Sequence, residues 1–148
     1  MSKIEQFKEE ITLIIANAVR EDVGDGDHSS LACIPKDAKG KAKLLVKENG
    51  IISGIEIAKK IFKTYDNSIE FLANLEDGEN VKIGDIAFIV NGSSRSLLTI
   101  ERLVLNVMQR MSGISTLSSR YASELIGLPT KILDTRKTTP GFRFFEKW

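Results

Sequence analysis

Ile100, Leu103, Val104, Val107, Met111, Ile114, Leu117, Tyr121 and Leu125 recur at three- and four-residue steps. That spacing draws one apolar stripe along a single long helix. A helix with such a stripe has to be covered, by the core of its own chain or by a second copy. Arg102, Asn106 and Gln109 fall on the opposite face at helical spacing, in line with Gly113. Gly113 permits a kink or a close backbone approach there.

The residues before this helix predict its cover. Ile4, Phe7, Ile11, Ile14, Ile15 and Ala18 repeat the helical step and predict a first helix. A loop follows over Glu21 to Ser30. Gly40 to Glu48 alternates around Ala42, Leu44 and Val46 and predicts a strand. Asn49-Gly50 is a turn signal, with a short strand at Ile51-Ile52. Ile55 to Tyr65 predicts a second helix and Ile69 to Leu72 a strand. Val81 to Ile83 and Ile86 to Val90 predict two more strands, split by Gly84-Asp85. A helix, a few antiparallel strands and one inserted helix make a small α+β sandwich. The expected organisation is an α+β sandwich over residues 1–99 and a second unit over 100–148.

After Gly127-Leu128-Pro129, Lys131 to Leu133 predicts a buried strand running into Asp134-Thr135-Arg136-Lys137-Thr138-Thr139-Pro140-Gly141. A helix, a strand and a polar loop in that order open a βα unit, and a parallel strand needs neighbours. The loop carries two adjacent cations among hydroxyls at the carboxyl end of that strand, where α/β sheets and barrels bind ligands. The Arg fork suits a carboxylate or phosphate, and Lys adds a point charge. A small, multiply anionic ligand fits this arrangement. The plain alternative is a solvated turn.

Charge and composition narrow the function classes. The net charge of +1 argues against a general nucleic-acid binder. No apolar run approaches membrane-spanning length and the start does not resemble a signal peptide, so a soluble cytoplasmic protein is expected. Cys33 and His28 are the only residues of their types, which leaves no internal disulfide, no cysteine zinc cluster and no support for a nucleophilic triad. Asp22, Asp25 and Asp27 do not have calcium-loop spacing, and no glutamate closes them, so turns that stop the first helix are expected. Cys33 is expected to be a small packing residue and His28 an exposed loop residue. Phe142, Phe144, Phe145 and Trp148 interleave with Arg143 and Lys147. They are expected to be barrel and interface packing left without neighbours rather than a base-stacking surface.

Four stretches together resemble the quinolinate phosphoribosyltransferase family: Arg20 to Asp27 with Ser29-Ser30; Asn49-Gly50-Ile51-Ile52-Ser53-Gly54; Glu101-Arg102-Leu103-Val104-Leu105-Asn106 with Ser112-Gly113-Ile114-Ser115-Thr116; and Ile132 to Gly141. The resemblance implies transfer of a phosphoribosyl group from phosphoribosyl pyrophosphate to quinolinate with decarboxylation, giving nicotinate mononucleotide for NAD synthesis. It implies that Arg136 and Lys137, with Thr135 beside them, hold the quinolinate carboxylates. It implies that Arg102 reaches across a homodimer interface into the partner's site, and that residues 100–148 begin an α/β barrel. The family's His-Arg pair, a further lysine and the acidic residues that handle Mg2+ and ribose lie beyond Trp148 in this resemblance. The chain is therefore expected to hold substrate-binding residues only, to bind no metal and to show no turnover by itself. Ser29 and Thr139 depart mildly from the family pattern.

Two other readings remain. Glu76 to Asp85 resembles the hammerhead edge of lipoyl- and biotinyl-type carrier domains, although Asn49-Gly50 offers no modifiable lysine. A phosphoribosyltransferase-like protein associated with molybdenum transport would share the fold and take a different substrate.

Overall fold

The computed structural model describes residues 6–148. Ile4, the first apolar position expected in the opening helix, lies outside the described residues. The rest of that stripe forms α1 (Lys8–Val23), which buries Ile11 and Ile15. Gly24 ends it with φ +57°, its N–H returning to the Arg20 carbonyl. Only glycine adopts this left-handed conformation at little cost.

The expected loop over Glu21 to Ser30 is shorter than the sequence suggests. A second helix, α2 (His28–Cys33), starts inside it because the Asp27 carboxylate accepts the Ser30 N–H as an N-cap. His28 thus opens a helix rather than lying in a loop, and its side chain is exposed. Cys33 is exposed as well. It lies on a short helix whose only buried member is Ser30, so it does not pack as expected.

The strands are β1 (Lys39–Leu45), β2 (Gly50–Ile51), β3 (Glu70–Ala73), β4 (Asn80–Val81) and β5 (Ile86–Ser93), with α3 (Ile55–Tyr65) between β2 and β3. They form two sheets, β1-β5-β3 and β2-β4, and every pairing is antiparallel. In the larger sheet Ala42 faces Val90 and Phe71 faces Val90 from the other side. Asn49-Gly50 is not a hairpin turn. Gly50 pairs with Val81 of β4, and Asn49 accepts the Ile83 N–H through its side-chain oxygen.

The core forms where α3 and the long helix α4 (Ser94–Ser123) cover the larger sheet. Phe62 of α3 meets Phe71 and Phe88, each at 6.1 Å between ring centroids, and Phe71 and Phe88 lie 4.6 Å apart. From α4, Leu97, Ile100, Leu103, Val104, Val107, Met108 and Met111 are buried. At roughly 1.5–3 kcal/mol for each fully buried large apolar side chain, this stripe is a major stabilising term. The stripe then emerges: Leu117 is 52% exposed and Tyr121 62%. The helix starts at Ser94, capped by the Ser93 hydroxyl, so the expected boundary at 99/100 falls inside α4.

Lys131 to Leu133 form no strand. No ladder among the described residues reaches them, and Leu133 is 86% exposed. An extended segment without a neighbouring strand has no inter-strand hydrogen bonds to make. The aromatic cluster that follows is not left without neighbours. Helix α5 (Arg143–Glu146) sinks Phe145 into the common core at 2% exposure. Phe144 packs edge-on against Phe7 at 5.2 Å, and the Trp148 indole donates to Asp77 at 3.0 Å. No helix among the described residues is long and apolar enough to cross a membrane.

Candidate functional site

The segment Asp134–Gly141 is a loop held by its own hydroxyls and by α5. Thr135 Oγ1 accepts the Lys137 N–H at 3.1 Å, and the Thr138 N–H donates to the Arg136 carbonyl at 2.9 Å. These turns set the Arg136-Lys137 pair on the outside of the bend. Pro140-Gly141 then reverses the chain, with Gly141 at φ +77° and the Phe142 N–H donating to the Thr139 carbonyl.

Helix α5 fastens the loop from beneath. Arg143 donates to the Thr138 hydroxyl at 3.0 Å and to the Arg136 carbonyl at 3.2 Å. Lys147 pairs with Asp134 at 2.7 Å. Glu146 accepts the Thr139 hydroxyl at 2.7 Å and the Thr139 N–H at 3.1 Å. Arg110 of α4 donates to the same carboxylate through Nε at 2.9 Å and Nη2 at 2.7 Å. The Thr139 hydroxyl, then Arg110, hold the Glu146 carboxyl below its ordinary value of 4.5. Among the described residues, neither Arg136 nor Lys137 has a carboxylate in ion-pair range. Two exposed cations on a fastened loop can receive an anion without first breaking an internal pair.

Arg102 lies elsewhere. It is exposed on α4, and its guanidinium pairs with Asp22 at 3.5 Å. Nearby, Asp27 is gripped by the Ser30 hydroxyl and backbone and by Thr99, which keeps its carboxyl below the ordinary 3.8. The structure therefore gathers Thr135, Arg136 and Lys137 and leaves Arg102 apart. Arg110, whose side chain does reach the loop, is eight residues further along α4, about 12 Å of helix rise.

A second ordered region joins α4 to β2. The Ser112 hydroxyl accepts the Ser53 N–H, and the Thr116 hydroxyl accepts the Ile51 N–H at 2.9 Å. A Cβ on Gly50 would stand 2.6 Å from the Thr116 hydroxyl. At Gly54, φ +100°, a Cβ would meet Met111 Sδ at 3.0 Å. The glycines of Asn49-Gly50-Ile51-Ile52-Ser53-Gly54 and the hydroxyls of Ser112 to Thr116 are thus two sides of one contact. An open groove of about 700 Å³ runs beside it, bordered by Leu105, Gln109, Gly113 and Arg120.

The sequence pattern of the quinolinate phosphoribosyl transferase N-terminal domain matches residues 27–112, well over half of the chain. The chain belongs to this family. A rice relative named nicotinate-nucleotide pyrophosphorylase [carboxylating], chloroplastic, is 43% identical over 94% of this chain and 37% of its own length. A Synechocystis relative, named a probable nicotinate-nucleotide pyrophosphorylase [carboxylating], is 39% identical over 86% of this chain and 43% of its own. The solved structure of NadC from Streptococcus pyogenes superposes with a TM-score of 0.89 at 34% identity, covering 99% of this chain and 51% of that one. The chain therefore spans about two-fifths of the curated relatives and half of that structure. The family match covers the mixed helix and sheet from Asp27 to Ser112.

Sequence reasoning gave no site role to Arg110 or Glu146, and read Arg143 and Lys147 only as cations interleaved with the aromatic tail. A signal was available for three of them: positions 143, 146 and 147 fall on one helical face directly after Pro140-Gly141. The approach of Arg110 across 36 residues left no local signal.

Proposed function

We propose that the protein carrying this sequence transfers the phosphoribosyl group of phosphoribosyl pyrophosphate to quinolinate in NAD biosynthesis. The pyridine nitrogen bonds to ribose C1 as the C1–O bond to pyrophosphate breaks. The neighbouring carboxylate leaves as CO2, and the ring carbon takes up a proton, which gives nicotinate mononucleotide. The observation that carries this reading is the fastened loop with two cations, Arg136 and Lys137, that no carboxylate among the described residues pairs, in a chain of this family. Quinolinate presents two adjacent carboxylates on a flat ring, and an Arg fork beside a Lys ammonium matches them. Thr135, through Lys137 N–H, keeps the pair on the outer side of the bend.

The assembly belongs to the same proposal. A homodimer would cover the emerging stripe at Leu117 and Tyr121 and bring Arg102 of one copy to the loop of the other. Residues 100–148 are read as the opening of an α/β barrel, in keeping with a chain that covers 51% of the NadC structure. Mg2+ would screen the departing pyrophosphate. Among the described residues no group of three His, Cys, Asp or Glu could hold it, so no role for it is assigned to them. The expected setting is cytoplasmic, although relatives are also named chloroplastic and mitochondrial.

The test is quinolinate binding by this sequence carried in a chain of its relatives' full length. Arg136→Ala and Lys137→Ala should each weaken it by about ten- to a hundred-fold, the loss expected when a carboxylate loses a charged partner. Unchanged affinity in both variants would overturn the reading.

A further inference from the structure

We propose that Glu146 is a positioning residue for substrate: it locks the backbone behind Arg136 and Lys137 and ties that loop to α4 through Arg110. This inference rests on the quinolinate-binding role just proposed for the two cations. The Glu146 side chain is only 6% exposed and collects four donors, two from Thr139 and two from Arg110. One turn earlier, Arg143 grips the Arg136 carbonyl and the Thr138 hydroxyl. Phe145, between them, is plugged into the core and prevents α5 from sliding. The backbone from Arg136 to Thr139 is thus fastened, while the two cationic residues are exposed and have no ion pair among the described residues.

The chemistry requires a carboxylate at position 146. All four contacts point donors at it, and an ionised carboxylate accepts at both oxygens. Glutamine keeps the shape but turns an NH2 toward Arg110 or toward Thr139, leaving donor against donor. The loop would then sample several arrangements. The two cations would have to be gathered when substrate binds, instead of being set beforehand.

Two measurements on Glu146→Gln test this. Hydrogen exchange on the chain itself should show faster exchange at the Thr139 amide, with the Val104 amide unchanged. In the full-length setting, quinolinate affinity should fall by roughly ten- to a hundred-fold, as for a small misplacement of binding groups. Affinity for phosphoribosyl pyrophosphate should stay within about two-fold, because a merely destabilised enzyme would lose both. If Glu146→Gln does not fold, Thr139→Val removes one of the four contacts and should give the same pattern at smaller size. Equal quinolinate affinity in variant and wild type overturns the positioning role and leaves the proposed function standing. A parallel loss for both substrates also overturns it. A wild-type protein with no affinity for quinolinate overturns the functional reading and the positioning role with it. Faster exchange at Thr139 would then show only that the loop is braced.

Discussion

Ser112 and Ser53 bond to each other twice: the Ser53 N–H donates to the Ser112 hydroxyl at 2.9 Å, and that hydroxyl donates back to the Ser53 carbonyl at 3.1 Å. A side chain of α4 thereby replaces the strand neighbour that Ser53 lacks. One helical turn later the Thr116 hydroxyl bonds the N–H and carbonyl of Ile51, a residue of β2 that pairs with Asn80 of β4. Thr116→Val keeps the volume and removes the acceptor, leaving the part-buried Ile51 N–H unsatisfied. A destabilisation of about 1–3 kcal/mol is expected in urea unfolding. A loss near zero would show that water takes the place of the hydroxyl.

Gly54→Ala should be more harmful than its size suggests. The residue sits at φ +100°, and its Cβ would press on Met111 Sδ and Met108. Strain of about 1–3 kcal/mol is expected from the backbone alone. By contrast, Gly113→Ala meets nothing within 4 Å and lies inside a helix, so it should stabilise by about 0.5–1 kcal/mol. Thermal melts of the two variants should move in opposite directions.

Asp66 makes stability depend on pH. Its carboxylate accepts from the Ser68 hydroxyl, then from Ser96 at the start of α4, and its pKa is lowered below 3.8. A depressed folded-state pKa means that the stabilisation is complete above 3.8 and is lost as pH falls through the lower folded value. Asp66→Asn should therefore lower Tm at neutral pH, and the difference from wild type should shrink below pH 3.8. A difference that stays constant down to strongly acid pH would exclude this linkage.

The shared-site role of Arg102 can be tested by mixing. If Arg102 serves the neighbouring copy, heterodimers of Arg102→Ala and Arg136→Ala subunits recover one site with both native residues. Activity should reappear in the mixture although each variant alone is impaired. Proven heterodimers without recovery would place Arg102 outside the site. Arg136→Lys should be nearly as harmful as Arg136→Ala, since an ammonium cannot replace a two-pronged fork.

Phe145→Ala removes the only fully buried side chain of α5. A loss of about 3–5 kcal/mol is expected from the cavity, read in denaturant unfolding. The loop clamped by Arg143 and Glu146 should loosen with it. A small loss would mean that α5 is held by its polar contacts instead.

Periodicity alone determined α1, α3 and most of α4, because an amphipathic helix writes its buried face into local spacing: Ile57, Ala58, Ile61 and Phe62 of α3 were all legible and are all buried. The alternating strands were legible for the same reason. The residue types at Arg136 and Lys137 pointed to an anion, since that chemistry is carried by the side chains themselves. Tertiary structure decided what spacing cannot encode. The strand expected at Lys131 to Leu133 has no ladder, because a strand is defined by its neighbours and none of the described residues pairs with it. The aromatic tail returns to the core near Phe7 and Asp77. Gly50 is dictated by Thr116, 66 positions away, rather than by a turn of its own. Arg110 meets Glu146 only after α4 and α5 pack together. Local sequence sets local conformation and chemistry; contacts between distant residues exist only once burial of the common core has brought them together.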